Sequence, residues 1–345
     1  MELEKAFRDQ AKVCADLGSP FTARLLDGLA GAILPGTPLA DRLLSWPGDM
    51  SVSGDVLPLR LAGGLHALVR LGRDGDLSDA YADPEIDGAR LAAVALGAMK
   101  RNEAFLLDWI ESPPQTNEVR RSIVVIAAAR MLTARHGLPL ILSELGASAG
   151  LILIWDRYVL EIGDQRFGPT DPILTLRPNW VGPLPDSCQP VVVERAGVDL
   201  NPLDPVTDKQ RLLSYIWADQ IDRRERTEAA LEEAVRLRPR VDRADAVDWL
   251  ATRLAMQRMG HMHLVYHTIV WQYFPAEKQA AGRALLAAAG ARATQDAPLA
   301  HLEMEADGQG PGAGLYVTLW PGGVRQALGR ADFHGRWIDW RPPAP

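Results

Sequence analysis

The sequence predicts an α/β protein: a doubly wound, mostly parallel sheet preceded by a helical module. Three observations lead there. Apolar residues recur at helical spacing through about the first 110 positions, with no sustained alternation of period two. Beyond about residue 120, helical stretches alternate with short apolar runs bounded by turn formers, as in strands joined by helical crossovers. The segment from His301 onward reads as strands with no helix between them. At 345 residues and 47% hydrophobic, the chain has material for one large core or two.

The elements follow in order. Leu3, Phe7, Ala11 and Cys14 share one face of a first helix; Gly18-Ser19-Pro20 ends it, and Phe21, Leu25, Leu26, Leu29 and Ile33 resume the period. Further helices are expected over 39–46, 57–71, 88–98 and 101–109. Ser112-Pro113-Pro114 then closes the module, because proline lacks an amide donor and restricts the residue before it. Residues 1–115 thus form the helical part and 116–345 the α/β part. A helix over 118–136 leads through Gly137 into a buried strand over 139–144. Residues 158–162 and 165–167 flank Gly163-Asp164 as an inserted hairpin. Residues 191–194 are strand-like, 209–217, 224–237 and 246–258 helical, and 240–244 end a short third strand. Residues 261–270 are β-branched and aromatic enough for a central strand, 276–288 form an Ala-rich helix, and 301–305, 314–319 and 336–340 are strands that close in a hairpin.

Composition removes several function classes. Asp plus Glu number 44 against 37 Lys plus Arg, a net charge of −7, so the broad positive field that phosphate-backbone binding needs is missing and nucleic acid is not an expected partner. Cys14 and Cys188 support neither a disulfide framework nor a thiolate zinc site. No stretch approaches the roughly 20 apolar residues of a membrane span, and the mixed charges of MELEKAFRDQ do not suit a signal peptide, which points to the cytoplasm. Nothing in the sequence specifies an oligomeric state.

Chemistry concentrates in Leu142-Ser-Glu144-Leu-Gly146-Ala-Ser148-Ala-Gly150-Leu151. It follows a predicted strand and opens a helix-like apolar run over 151–155, the context a nucleotide-binding turn requires. Small residues let the backbone turn tightly and approach a ligand, and nearby carboxylates accept hydrogen bonds from it. Glu144 precedes the first glycine, and Asp199, followed by Asn201, closes a later strand where ribose hydroxyls are held in such folds. The distance from Glu144 to Asp199 far exceeds the usual spacing of about 20 residues, which the inserted hairpin accounts for. The same glycines also satisfy G-x-S-x-G, the nucleophile elbow, with Asp245 and His334 completing a Ser, acid, His order. Against that, the glycine pair available for an oxyanion loop, Gly63-Gly64-Leu65-His66, falls in the helical module, and Glu144 has no role in an elbow. A tight strand-to-helix turn without a ligand is the third possibility.

Glu144-x-Gly146-x-Ser148-x-Gly150 with Asp199 resembles the cofactor region of S-adenosylmethionine-dependent methyltransferases, Ser148 standing where the middle glycine is usual. The whole chain also resembles the bacterial domain-of-unknown-function family 2332. That similarity runs through 14–26, Gln115-Thr116-Asn117-Glu118, 142–158, 197–205, Trp217-Ala-Asp219-Gln220, 265–273, Trp320-Pro-Gly-Gly323 and His334-Gly335. The resemblance implies a methyltransferase-like (Rossmann-like) fold with S-adenosylmethionine as cofactor, held by Glu144, Gly146, Ser148, Gly150, Asp199, Asn201, Asp245 and Ala246. The N-terminal helices are then a lid or substrate-binding part. In such a fold Asp245 meets the adenine amino group; as a residue ahead of an apolar-periodic helix, it equally reads as an N-cap.

The other candidates each have two readings. His261, His263 and His267 share a strand face, but the outer pair lies about 20 Å apart, too far for a single ion, so no metal is expected there. His267, at the carboxyl half of its strand, is the candidate general base toward a substrate hydroxyl or amine, or else a hydrogen-bonded core histidine. Tyr266, Trp271, Gln272 and Tyr273 line the same rim or pack in the core. At the helix start that includes Asn117, backbone amides with Arg120 and Arg121 close by grip a ligand carboxylate, or Thr116 or Asn117 simply caps the helix. Asp204, Asp208, Asp219 and Arg223 form a polar set or an ordinary surface network. The functional expectation is S-adenosylmethionine binding with methyl transfer to a small or medium-sized acceptor. The alternatives are a non-catalytic ligand-binding or regulatory protein of the same fold, and a serine hydrolase using Ser148.

Overall fold

The computed structural model describes residues 2–343. In chain order the elements are α1 (Glu2–Asp16), α2 (Pro20–Leu29), α3 (Pro38–Leu44), α4 (Leu57–Arg70), α5 (Gly75–Ala82), α6 (Gly88–Arg101), α7 (Glu103–Ile110), α8 (Ser122–His136), β1 (Leu140–Leu145), β2 (Tyr158–Ile162), β3 (Gln165–Phe167), β4 (Leu174–Leu176), β5 (Asn179–Val181), β6 (Val192–Asp199), α9 (Lys209–Ser214), α10 (Ile221–Leu237), β7 (Arg240–Arg243), α11 (Ala246–Arg253), β8 (Met262–Thr268), α12 (Ala276–Gly290), β9 (Leu299–Glu305), β10 (Ala313–Trp320), β11 (Val324–Ala331) and β12 (Trp337–Trp340). They fall into two compact units. No helix among the described residues is long and apolar enough to cross a membrane.

The first unit runs to Thr116 and also takes Thr207–Glu228. Its helices start where the sequence supplies caps: Ser19 accepts from the Thr22 amide ahead of Pro20, Thr37 from Ala40 ahead of Pro38, Asp74 from Leu77 and Asp87 from Arg90. Around α4 the packing is closest. A Cβ on Gly63 would stand 2.4 Å from the Tyr215 ring, and one on Gly64 would stand 2.7 Å from Leu106. These glycines therefore serve helix packing. His66 Nδ1 lies 3.1 Å from the Ser214 carbonyl. Asp219 accepts from Ser19 Oγ at 2.5 Å and from the Phe21 amide at 2.9 Å, which ties residues 207–228 to the helices although they lie between strands in sequence.

The second unit is built on a nine-stranded, mostly parallel sheet in the order β5-β12-β11-β10-β9-β8-β1-β6-β7. The strands β7-β6-β1-β8-β9 are parallel throughout. The tail is a four-strand antiparallel run, β9 to β12, with β5 added parallel to β12. The expected closing hairpin is thus a longer meander. β11, Val-Arg-Gln-Ala-Leu-Gly-Arg-Ala, carries no apolar alternation and is held by pairing on both edges. The inserted hairpin is β2 with β3, joined by β4 in a separate three-stranded sheet.

Register divides the main sheet into two faces. Leu145, Val198, Val265 and Leu299 pack with Trp249 and Leu250 of α11 and Leu286 and Ala289 of α12. On β1, Leu140, Leu142 and Glu144 point the opposite way from Leu145. α8 is buried continuously from Ser122 to Leu132, the burial of a helix enclosed on all sides.

Candidate active site

The glycine turn leaves β1 at Gly146, which has φ +71°; Ser148 has φ 52° and Gly150 φ +73°. The Gly146 and Ala147 amides both donate to the Val198 carbonyl, at 2.9 and 3.0 Å. Asp199, the last residue of β6, braces the turn: its Oδ2 accepts from the Ser148 amide at 2.9 Å and its Oδ1 from the Asn201 amide at 2.8 Å.

The helix expected over 151–155 does not form. Residues 151–154 are turns, and Trp155–Arg157 is a single 3₁₀ turn. Leu151 through Trp155 are all buried, at 2% exposure or less, so the run is apolar because it is core. The turn consequently has neither the helix N-terminus of the dinucleotide fingerprint nor the strand-turn-helix of an elbow.

A crevice of about 190 Å³ opens at the carboxyl ends of β1, β6, β7 and β8. Gly146 and Asp199 line it together with Val198 and Leu200; Ala244, Asp245, Ala246 and Val247 form a second wall, and Val270, Tyr273, Phe274 and Lys278 a third. Five of the sequence candidates therefore meet here: Gly146, Asp199, Asp245, Ala246 and Tyr273. Asp245 is the N-cap of α11, its Oδ1 accepting from Val247 and Asp248 amides at 2.9 and 3.2 Å, while Oδ2 pairs with Lys278 Nζ at 3.1 Å. Burial pushes its carboxyl up, but Lys278 and the cap amides outweigh that and hold it below its ordinary value. Lys278 gives no sequence signal, lying on an exposed Ala-rich helix.

The remaining candidates do not line the crevice. Glu144 and Tyr266 pair across β1 and β8 on the opposite sheet face, Tyr266 Oη donating to Glu144 Oε2 at 3.3 Å. Both are buried, and burial raises the Glu144 carboxyl well above its ordinary value, so it does not present the cofactor-binding carboxylate that the resemblance implied. Gly150 faces inward, with a Cβ position 3.0 Å from Pro239, and Ser148 is buried. Asn201 is exposed and accepts from Arg243. Asn117 Oδ1 accepts from the Leu151 amide at 2.8 Å, and Arg121 donates to the carbonyls of Phe333 and Thr268, so both clamp the fold where a ligand carboxylate was expected. Trp271 is buried under His267, and Gln272 points to solvent. Asp219 and Arg223 belong with the helical unit, while Asp204 caps the Val206 amide.

His267 is fully buried. Its Nδ1 lies 2.6 Å from Glu305 Oε1 and its Nε2 3.0 Å from His301 Nε2, and the ring stacks on Trp271 at 4.8 Å. With both nitrogens engaged and no surface exposed, it is not the acceptor-side base the sequence suggested. Burial would raise the Glu305 carboxyl, but His267 and the Val270 and Trp271 amides reverse this and lower it. Burial, then His267, depresses His301 well below the ordinary histidine range. The signal for this cluster was available in His301-x-Glu303-x-Glu305, three polar residues of period two on one strand face. His261 and His263 do not join it; they contact the Met259 carbonyl and Ser143 Oγ.

A family model described as "Uncharacterized protein conserved in bacteria (DUF2332)" matches residues 4–340. The chain belongs to the DUF2332 family. No curated protein and no solved structure matches it. In this DUF2332 member the elbow partners are engaged otherwise: Asp245 serves the α11 cap and Lys278, and His334 sits in the turn that Asp332 closes.

Proposed function

We propose that the crevice binds an S-adenosylmethionine-type ligand, nucleoside end innermost, and that the protein transfers its methyl group to a small or medium-sized acceptor. One observation carries the reading: Asp199 at the end of β6 lines a cleft at the carboxyl ends of parallel strands ordered β7-β6-β1-β8-β9, where doubly wound sheets take nucleotides. Each Asp199 oxygen accepts one amide and retains a second lone pair for a ribose hydroxyl. Val198, Val247, Val270 and Phe274 offer apolar walls for a base, and Ala246, first in α11, has an amide without an intrahelical acceptor. At about 190 Å³ the cleft is smaller than the roughly 300–1,000 Å³ of sites that enclose a whole drug-sized ligand, so it suits the nucleoside part and leaves the sulfonium end at the rim. Methyl transfer asks of the protein chiefly that donor and acceptor be held in line. Ligand binding without turnover is the second reading, favoured by the burial of His267.

The test is thermal stability with S-adenosylhomocysteine, with NAD and ATP as controls. A ligand at 100 times its dissociation constant adds about 2.7 kcal/mol. A shift specific to the adenosyl sulfide that Asp199→Ala abolishes is expected; no shift, with calorimetry agreeing, removes the proposal. Release of S-adenosylhomocysteine from S-adenosylmethionine in an acceptor screen separates transfer from binding alone.

A further inference from the structure

The carboxyl ends of β8 and β9 bring together four side chains that the crevice does not use. Register sets Glu303 opposite His267 and His301 opposite Val265, which puts His267, His301, Glu303 and Glu305 on one sheet face. One ligand atom each from His267, His301 and Glu303 lies within 4.8 Å of the others. The two Nε2 atoms are 3.0 Å apart, near the separation of about 3.3 Å that two Zn–N bonds of about 2.05 Å require at a tetrahedral ion.

The surroundings resemble a prepared coordination shell. An ionised carboxylate only accepts, so Glu305 holds the hydrogen of His267 on Nδ1 and leaves Nε2 facing His301 and Glu303. Glu305 is itself held by the Val270 and Trp271 amides, both at 3.0 Å, and Trp271 stacks on the imidazole, so the ring is oriented without any ion. Arg325 Nε takes Glu303 Oε2 at 2.8 Å, which limits that carboxylate to one oxygen for the cluster. Both imidazoles are buried, and Glu305 Oε2 is buried with no hydrogen-bond partner.

We infer that His267, His301 and Glu303 form a binding site for one divalent transition-metal ion of the zinc class, with Glu305 as the carboxylate that positions His267. Two imidazoles and one carboxylate select zinc, cobalt or iron over magnesium or calcium, and three protein ligands leave a position for water or another small ligand. The site shares no residue with the adenosyl crevice, so the two proposals stand or fall separately.

The 345-residue chain, stripped with a chelator and dialysed, is titrated with Zn²⁺ and Co²⁺, with Mg²⁺ as the control. One equivalent of Zn²⁺ and a visible Co²⁺ absorption band that Zn²⁺ displaces are expected, with no Mg²⁺ uptake. His301→Gln and Glu303→Gln weaken binding at least tenfold, and Glu305→Gln weakens it about 10–100-fold. His261→Gln, at the exposed histidine, leaves binding unchanged. Circular dichroism checks each fold; if a variant does not fold, the wild-type Co²⁺ band decides. Absence of stoichiometric uptake by the folded wild type overturns the inference. So does uptake that survives both His301→Gln and Glu303→Gln, or uptake lost in His261→Gln.

Discussion

Gly146 shows how one residue shapes the crevice. Its φ of +71° and the 2.4 Å from a Cβ to Val270 Cγ2 are separate obstacles to any side chain. Gly146→Ala should cost about 1–2 kcal/mol for the left-handed backbone and a further 1–3 kcal/mol for overpacking. Val270→Ala in the same chain should recover only the second part. A double-mutant cycle on urea midpoints measures this; strict additivity would show that the Val270 contact carries no energy. Protonation supplies a second prediction. Burial brings His66 and His263 down to about 4, so both are neutral when folded, whereas the unfolded chain takes up protons below the ordinary value of 6.5. The contribution of these two histidines is therefore whole above that value and falls as pH drops from 6.5 toward 4, by at most about 1.4 kcal/mol per pH unit per group. Glu144 acts in the opposite direction. Its carboxyl is raised when buried, so stability declines as pH rises above the ordinary 4.5, where the unfolded carboxyl ionises first. Urea midpoints across the pH range should show a flattened acid limb for His263→Gln. Glu144→Gln should be more stable than the parent near neutral pH, and a loss there would refute the account of the buried neutral acid.

Among the elements, the segment after the glycine turn departs most from its sequence signature. Leu-Ile-Leu-Ile-Trp over 151–155 reads as the start of a crossover helix, yet it runs as buried turns, with its first amide capped by Asn117 Oδ1. Asn117, which sequence reasoning placed at a ligand-binding helix start, here satisfies a backbone group that no helix satisfies. Asn117→Ala should cost about 1–3 kcal/mol, the penalty of leaving a buried amide unpaired, while Asn117→Asp retains the acceptor and much of the stability. Thermal melts of the two variants compare them directly, and equal losses would show that the hydrogen bond contributes little. The strands β1 and β8 and the helix α12 were legible from local pattern. β11 was not, because backbone pairing on both edges stabilises a polar sequence as readily as an apolar one.

At the level of the whole molecule, the helical unit is discontinuous. Residues 207–228 supply Tyr215 against Gly63, the Ser214 carbonyl to His66 and the Asp219 carboxylate to the start of α2. A fragment ending at Thr116 should therefore expose the apolar surface of α4, bind a hydrophobic dye and lack a cooperative melt. Rejoining residues 207–228 through a flexible linker should restore the transition, and a fragment that melts cooperatively without them would contradict this account. The sequence by itself determined the α/β class, the run of N-terminal helices and the strand and turn at 139–150, because periodicity, caps and glycine positions are local properties; the family follows instead from similarity along residues 4–340. Only the tertiary structure decided that Asp199 and Asp245 share a cleft while Glu144 faces away. It also decided that His267 finds its partners on β9 and that residues 207–228 belong with the helices. Those outcomes depend on sheet order and register, which bring together residues far apart in the chain and bury a side chain or expose it according to what pairs beside it.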